Sequence, residues 1–201
     1  VDSPHLHGWW GRVVRVIGSG EVLDAGGEEG GELLGVAVDD EVGDVKSLLT
    51  RRLCLEAGAR LADSPADAVA QAQAVILMLP DLAVTRDVLL GDSGALAAMP
   101  EGATLIQMGT LGVAETDRLI AEADDARDDI VFIDAPVSGT KAPAEQGKIA
   151  ILASGDRERA GAVVEPIFDV LGKQTHWLGQ AGQGCVLIFI SQAGLWSCCI
   201  P

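Results

Sequence analysis

The loop after residue 134 carries the side chains of this sequence that are best suited to bind a ligand. It reads Asp-Ala-Pro-Val-Ser-Gly-Thr-Lys over residues 134–141 and follows an apolar run of strand length. The Ser138 hydroxyl can donate a hydrogen bond, and Gly139 leaves its backbone N–H accessible because it has no Cβ. Thr140 adds a second hydroxyl, and Lys141 adds a positive charge. Pro-Val-Ser-Gly is also typical of an ordinary turn, so the loop alone leaves both interpretations open.

The elements that would position this loop alternate between strands and helices from residue 55 to residue 184. Sequences with helix-start signals, such as Ser64-Pro65, separate apolar runs whose length suits strands buried on both faces of a parallel sheet. These runs are Ala74–Leu79, Thr104–Met108 and Ile130–Asp134. The alternation predicts an α/β fold with a doubly wound, mostly parallel sheet.

Composition favours an acidic globular protein. The chain has 201 residues, is 48% hydrophobic and carries a formal net charge of −16. This charge repels phosphate backbones, so we expect no nucleic acid partner. The longest apolar runs, residues 74–79 and 186–190, are strand-sized and far short of the roughly 18 residues of a membrane helix. No apolar segment follows a basic start, so we expect a cytoplasmic protein without membrane contact.

The four cysteines indicate neither a metal site nor a disulfide framework, because their spacing fits neither pattern. They are Cys54, Cys185, Cys198 and Cys199.

The run Asp134–Gly147, DAPVSGTKAPAEQG, resembles the substrate-loop signature of the β-hydroxyacid dehydrogenases. That family includes 3-hydroxyisobutyrate dehydrogenase and the glyoxylate/succinic semialdehyde reductases, and it is related to 6-phosphogluconate dehydrogenase. Further segments are similar to the family in order and spacing, namely EAGARLADSPADAV, AVILMLPD, LIQMGTL and GQAGQG. The resemblance covers residues 55–184. It implies a Rossmann-like sheet that lacks the family's C-terminal all-helical domain.

The resemblance implies an NAD(P)-dependent oxidoreductase that acts on a small β-hydroxy or oxo acid. Substrates of this class carry one carboxylate, and a carboxylate in a partly dry pocket needs several hydrogen-bond donors. Ser138, Gly139 and Thr140 would supply them. The predicted partner is therefore a small carboxylate, and the resemblance also allows a homo-oligomer.

The resemblance places cofactor contacts for NADP or NAD at two strand ends. Leu79 and Pro80 match the family's Leu-Pro pair, and Thr110 matches its cofactor-contacting threonine. The carboxyl ends of strands in open α/β sheets are where dinucleotides bind. The sequence does not distinguish NAD from NADP.

The first 54 residues fit the glycine-rich dinucleotide motif incompletely. Gly18 and Gly20 supply two of its glycines and Asp39 its acidic residue, but Leu23 occupies the third glycine position. Four glycines interrupt the helix that should follow, at about 1 kcal/mol each in helix propensity. The candidate flanking strands lie at residues 13–17 and 33–38. We count Gly18, Gly20 and Asp39 as weak cofactor contacts. The alternative, which we favour, is that this acidic, glycine-rich segment is poorly ordered.

The catalytic residues of the family are absent at the positions that correspond to them. Counted from the turn Gly182-Gln183-Gly184, the essential lysine position holds Ile188 and the asparagine position holds Gln192. Lys141 is no evident substitute, so we predict no catalytic residue.

These observations divide the chain into three parts. Residues 1–54 are predicted to be an atypical segment in place of the first βαβ unit, residues 55–184 the dinucleotide-binding core, and residues 185–201 an atypical tail in place of the interdomain helix. We hypothesise that both ends are out of register with the ancestral coding frame, which sequencing of the gene would test. The chain is then a weakly active or inactive oxidoreductase; the alternative is a non-catalytic dinucleotide-binding remnant or an interaction module.

Overall fold

A computed structural model describes the backbone of residues 14–18 and 33–36, together with residues 62–139, 143 and 148–192, with side chains as far as residue 188. Five parallel strands form the main part of the sheet in the order β2-β1-β3-β4-β5. They are β1 (Val14–Gly18), β2 (Leu33–Val36), β3 (Ala74–Met78), β4 (Thr104–Gln107) and β5 (Val131–Asp134). The three strands predicted in the middle of the chain are thus confirmed as parallel neighbours.

Three further strands extend the sheet beyond β5. Strand β7 pairs with β5 and β6 in antiparallel orientation and with β8 in parallel orientation. Their bounds are β6 (Val137–Ser138), β7 (Ile149–Gly155) and β8 (Gly172–Trp177). Since β7 overlaps β5 only at the last two residues of β5, most of β7 lies beyond the carboxyl end of that strand.

Six helices connect the strands in the described part of the chain. They are α1 (Pro65–Val69), α2 (Leu82–Leu90), α3 (Ala95–Ala98), α4 (Val113–Ala126), α5 (Arg157–Leu171) and α6 (Gln183–Gln192). The predicted helix start at Ser64 is confirmed, because its side chain accepts the backbone N–H of Asp67 at 3.1 Å. Asp81 and Asp156 cap α2 and α5 in the same way.

Apolar side chains are buried on both faces of the sheet, which confirms the doubly wound architecture. Alternate strand residues such as Leu77, Leu105 and Phe132 pack with helices α1 to α4. Their neighbours Ile76 and Ile106 pack with α5 and β7 on the other face. Complete burial of one such side chain stabilises the fold by about 1.5–3 kcal/mol. No helix among the described residues is long and apolar enough to span a membrane.

The predicted boundary at residue 54 lies outside the described residues. Strands β1 and β2 occupy adjacent places in the sheet at the two runs offered as candidate strands, and the residues between them lie outside the described part. Helix α6 spans the predicted boundary at residue 184 and continues into the segment predicted to be an atypical tail. The reason is that Gly184 and Cys185 are buried against the sheet.

Candidate functional site

The loops that carry the predicted site residues leave the sheet at one common edge. In the register of the parallel strands Leu77 lies beside Gln107, and Gln107 lies beside Asp134. The ladder continues one step into the loops, where Met108 donates to the Leu77 carbonyl and Ala135 to the Gln107 carbonyl, each at 2.8 Å. Pro80, Thr110 and Ser138 therefore follow strands that end at the same edge of the sheet.

The loop after β3 presents its proline rather than its leucine. Leu79 is 3% exposed and its side chain packs in the core formed with α1 to α4. Pro80 is exposed. Only the backbone of Leu79 is therefore available to a ligand, because its side chain is held among apolar neighbours.

The loop after β4 touches the loop after β3. A Cβ on Gly109 would lie 2.6 Å from the Leu79 carbonyl oxygen, so this position requires glycine. The buried side chain of Gln107 donates from Nε2 to the Gly109 carbonyl at 3.3 Å. Its Oε1 atom has no hydrogen-bond partner in the described structure. Thr110, the next residue, is exposed at the edge.

The loop after β5 turns back and pairs with β7. Val137 lies opposite Ile151, and Ser138 opposite Ala150. Ser138 is half-buried, and Gly139 is exposed with a φ of 152°, a backbone conformation that side chains with a Cβ rarely adopt. The structure thus offers a hydroxyl and a glycine N–H beside each other. Thr140 and Lys141 lie outside the described residues.

Of the residues matched to the dinucleotide motif, the structure describes only Gly18. Gly18 ends β1 beside Met78 at the end of β3, the point where the strand order reverses. In open α/β sheets ligands bind in the crevice outside such a switch point. Gly20 and Asp39 lie outside the described residues.

A buried polar cluster that the sequence analysis missed lies directly before the loop after β5. Asp134 is fully buried, and its Oδ2 accepts the backbone N–H of Cys185 at 3.1 Å. The Ser154 hydroxyl lies 3.2 Å from the same oxygen and accepts the Gly184 N–H at 3.0 Å. Thr116 donates to the Cys185 sulfur at 3.1 Å.

Burial controls the titration of this cluster. It raises the pKa of Asp134 above the usual range of a carboxyl group, although the hydrogen bonds from Cys185, Ser154 and Gly184 act in the opposite direction. Burial, together with the nearby Asp134 charge, raises the pKa of the Cys185 thiol to about 12. Cys185 is therefore a protonated thiol near neutral pH. The sequence contained one indication of this cluster, namely a carboxylate at the end of an apolar strand, where a buried charge without a partner would be unfavourable.

The position of the family's lysine points into the core. Ile188 is 2% exposed on α6, in the helix whose first turn contacts β5 and β7. Within the described ranges the lysines are Lys148, exposed just before β7, and Lys173, exposed in β8. An isoleucine has no ionisable group, so this position cannot move a proton.

A separate cavity of about 660 Å³ lies at the opposite edge of the sheet. It is lined by residues at the start of β5 and α5, among them Asp128, Val131, Arg157 and Arg159. Arg157 is paired with Glu165 and lies over the Trp177 ring. The cavity is remote from the loops that hold Pro80, Thr110 and Ser138.

Comparison with known proteins identifies an NAD-binding domain model and two reductase or dehydrogenase relatives. The sequence model for the NAD binding domain of 6-phosphogluconate dehydrogenase matches residues 38–179, and so begins upstream of the predicted boundary at residue 54. Glyoxylate/succinic semialdehyde reductase 1 of Arabidopsis thaliana is 38% identical over 136 residues, which are 68% of this chain and 46% of that protein. Mitochondrial 3-hydroxyisobutyrate dehydrogenase of Rattus norvegicus is 31% identical over 129 residues, 64% of this chain and 38% of that protein.

The fold is also shared with solved structures at low identity. An imine reductase from Myxococcus stipitatus in complex with NADP⁺ matches 92% of this chain and 61% of its own, with a TM-score of 0.76 and 20% identity. The chain spans less than half the length of the two curated relatives above.

Proposed function

Because the chain belongs to the family of the 6-phosphogluconate dehydrogenase NAD-binding domain, we propose that the carboxyl edge of its sheet binds NADP or NAD. The observation that carries this proposal is the meeting of the carboxyl ends of β1, β3 and β4 at that edge. Gly18 ends β1 beside β3, and the exposed residues Pro80 and Thr110 follow β3 and β4. Gly109 allows the loops after β3 and β4 to approach each other closely at this edge, because a Cβ there would meet the Leu79 carbonyl oxygen.

The substrate is a small carboxylate held beside the cofactor by the loop after β5. The Ser138 hydroxyl and the Gly139 N–H lie next to each other at the same edge as Thr110, and together they can satisfy a carboxylate. Glyoxylate, succinic semialdehyde and 3-hydroxyisobutyrate are the candidates, since the relatives named above act on compounds of this class. Thr140 is the further candidate donor.

The reaction that this arrangement supports is reduction of the oxo acid or oxidation of the hydroxy acid. A bound nicotinamide supplies or accepts the hydride. This chain's own residues bind and orient the carboxylate, which holds the reacting carbon at the edge where the cofactor lies. The proton must come from a group other than residue 188, because Ile188 is apolar and buried.

The second candidate function is cofactor binding without turnover. The observation that favours it is again Ile188, because a positioned proton donor is typically worth roughly 10²- to 10⁴-fold in rate. In this case the domain binds the dinucleotide as a ligand, or has become an interaction module.

Two measurements separate these functions. Isothermal titration calorimetry with NADP⁺ and with NAD⁺ tests cofactor binding. Absence of binding heat with both cofactors would contradict the proposal that the sheet edge binds a dinucleotide. A steady-state assay of nicotinamide absorbance with the three acids tests turnover. Binding without turnover supports the non-catalytic function, and turnover that Ser138→Ala abolishes supports the enzyme.

A further inference from the structure

We propose that Asp134 and Ser154 are positioning residues that lock the first turn of α6 to the loop 135–139, so that helix and loop move as one unit. The inference rests on the proposed function only for the role of that loop in carboxylate binding. The coupling itself rests on contacts among buried residues of β5, β7 and α6.

The first contact is a cap supplied by two strands to one helix. The first N–H groups of a helix have no partner within the helix, and here Gly184 and Cys185 donate theirs to Ser154 Oγ and Asp134 Oδ2. A carboxyl oxygen at a helix N-terminus is also favoured by the helix dipole. The Ser154 hydroxyl, 3.2 Å from both the carbonyl and Oδ2 of Asp134, joins the two caps into one network.

The second contact is a direct approach of the helix to the loop. A Cβ on Gly184 would lie 2.8 Å from Pro136 Cδ and 2.9 Å from Asp134 Oδ2, and it would collide with the Leu152 carbonyl oxygen. Only glycine therefore allows α6 to sit this close to Pro136.

Leu152 connects the two contacts. Its N–H donates to the Pro136 carbonyl at 3.0 Å, while its own carbonyl abuts Gly184. Ser138 follows Pro136 by two residues and pairs with Ala150 on the same strand. A shift of α6 is therefore transmitted through Pro136 and β7 to the Ser138 and Gly139 donors, although neither Asp134 nor Ser154 is needed to touch the substrate.

The test is amide hydrogen exchange on the full chain, compared among unmodified protein, Ser154→Ala and Asp134→Ala. Loss of one such hydrogen bond should accelerate exchange about tenfold in residues 137–139 and in 183–188 together. Leu96→Ala is the control, because Leu96 is buried in the core between α1 and α4 and not in this network. It should not accelerate exchange in these two segments more than in the other strands of the sheet.

Gly184→Ala provides an independent variant that keeps every hydrogen-bonding group and moves only the helix. It should accelerate exchange in residues 137–139 as well. Acceleration confined to 183–188 in the variants that fold, or no change in either segment, would overturn the coupling.

Binding of 3-hydroxyisobutyrate and of NADP⁺ adds a readout that general destabilisation would not separate. Ser154→Ala should weaken the acid about tenfold and leave the NADP⁺ affinity unaltered, whereas Leu96→Ala should alter neither. Failure of the unmodified chain to bind the acid would refute the proposed substrate, while the exchange experiment still decides the coupling.

Discussion

Gln107→Met should stabilise the protein, because Gln107 places an unsatisfied oxygen in the core. The side chain is fully buried at the end of β4, and its Oε1 has no partner within the described structure. An unpaired buried polar atom costs about 1–3 kcal/mol, whereas a long hydrogen bond such as that from Nε2 to Gly109 contributes at most about 0.5–1.5 kcal/mol. Methionine removes both terms and has nearly the same shape and volume.

The net effect worked from these terms is a gain on the order of 1 kcal/mol in the free energy of unfolding. For a domain of this size that corresponds to a rise in Tm of about 2–4 °C, measurable by differential scanning calorimetry. Ser154→Ala is the matched control, because Ser154 is equally buried but its hydroxyl is fully partnered, so its loss should lower Tm. A lower Tm for Gln107→Met would show that the anchor to Gly109 outweighs the unpaired oxygen and would refute the reasoning.

Under the second candidate function, cofactor binding without turnover, the chain should show no hydride transfer above background with either nicotinamide cofactor and glyoxylate, succinic semialdehyde or 3-hydroxyisobutyrate, because Ile188 cannot deliver a proton. Clear turnover in the absorbance assay that disappears in Ser138→Ala would contradict this function and support the enzyme. Burial raises the pKa of Asp134, so the stability that this carboxyl contributes is present at low pH and is lost as pH rises through its folded-state pKa. The Tm difference between Asp134→Asn and the unmodified chain should therefore shift in favour of the variant from about pH 4 to about pH 8, and a constant difference would argue against it. Burial raises the pKa of Cys185 to about 12, so in a variant with the other three cysteines replaced by serine the native thiol should resist alkylation near neutral pH; reaction at the rate of a free thiol would disprove this.

The sheet was predictable because its strands are buried on both faces. The run Ala74–Met78 is continuously apolar, and Val131–Asp134 is apolar up to its last residue, a pattern typical of strands covered on both faces. The start of α1 was predictable for a local reason, since Ser64 accepts an N–H only three residues away. The loop after β5 could be proposed as a site from the sequence because its residue types are ordered along one segment.

Helix α6 was not predictable in the same way. Its apolar run has the length and composition of a strand, and its start depends on Asp134 and Ser154, which lie far away in the sequence. Tertiary contacts therefore decide the conformation against the local pattern. The buried polar cluster around Asp134 was not predicted for the same reason, because no residue near Asp134 in the sequence indicates that Gly184 and Cys185 cover it.

The place of β1 between β2 and β3 bears on how the sheet assembles. Val14 pairs with Ala74, whereas Ala74 pairs with Thr104 and Thr104 with Val131, so β1 must find a partner roughly twice as far along the chain as the other neighbours do. Each doubling of the length of a closed loop costs only about 0.6 kcal/mol in chain entropy. The pairing of β1 with β3 is therefore delayed mainly because β3 is synthesised later, and only slightly by the cost of closing the longer loop. During synthesis β1 and β2 emerge first, and the open edge of β1 stays unpaired until β3 has been made. That edge is then free to pair with other chains, which makes the growing polypeptide most prone to aggregate before its third strand arrives.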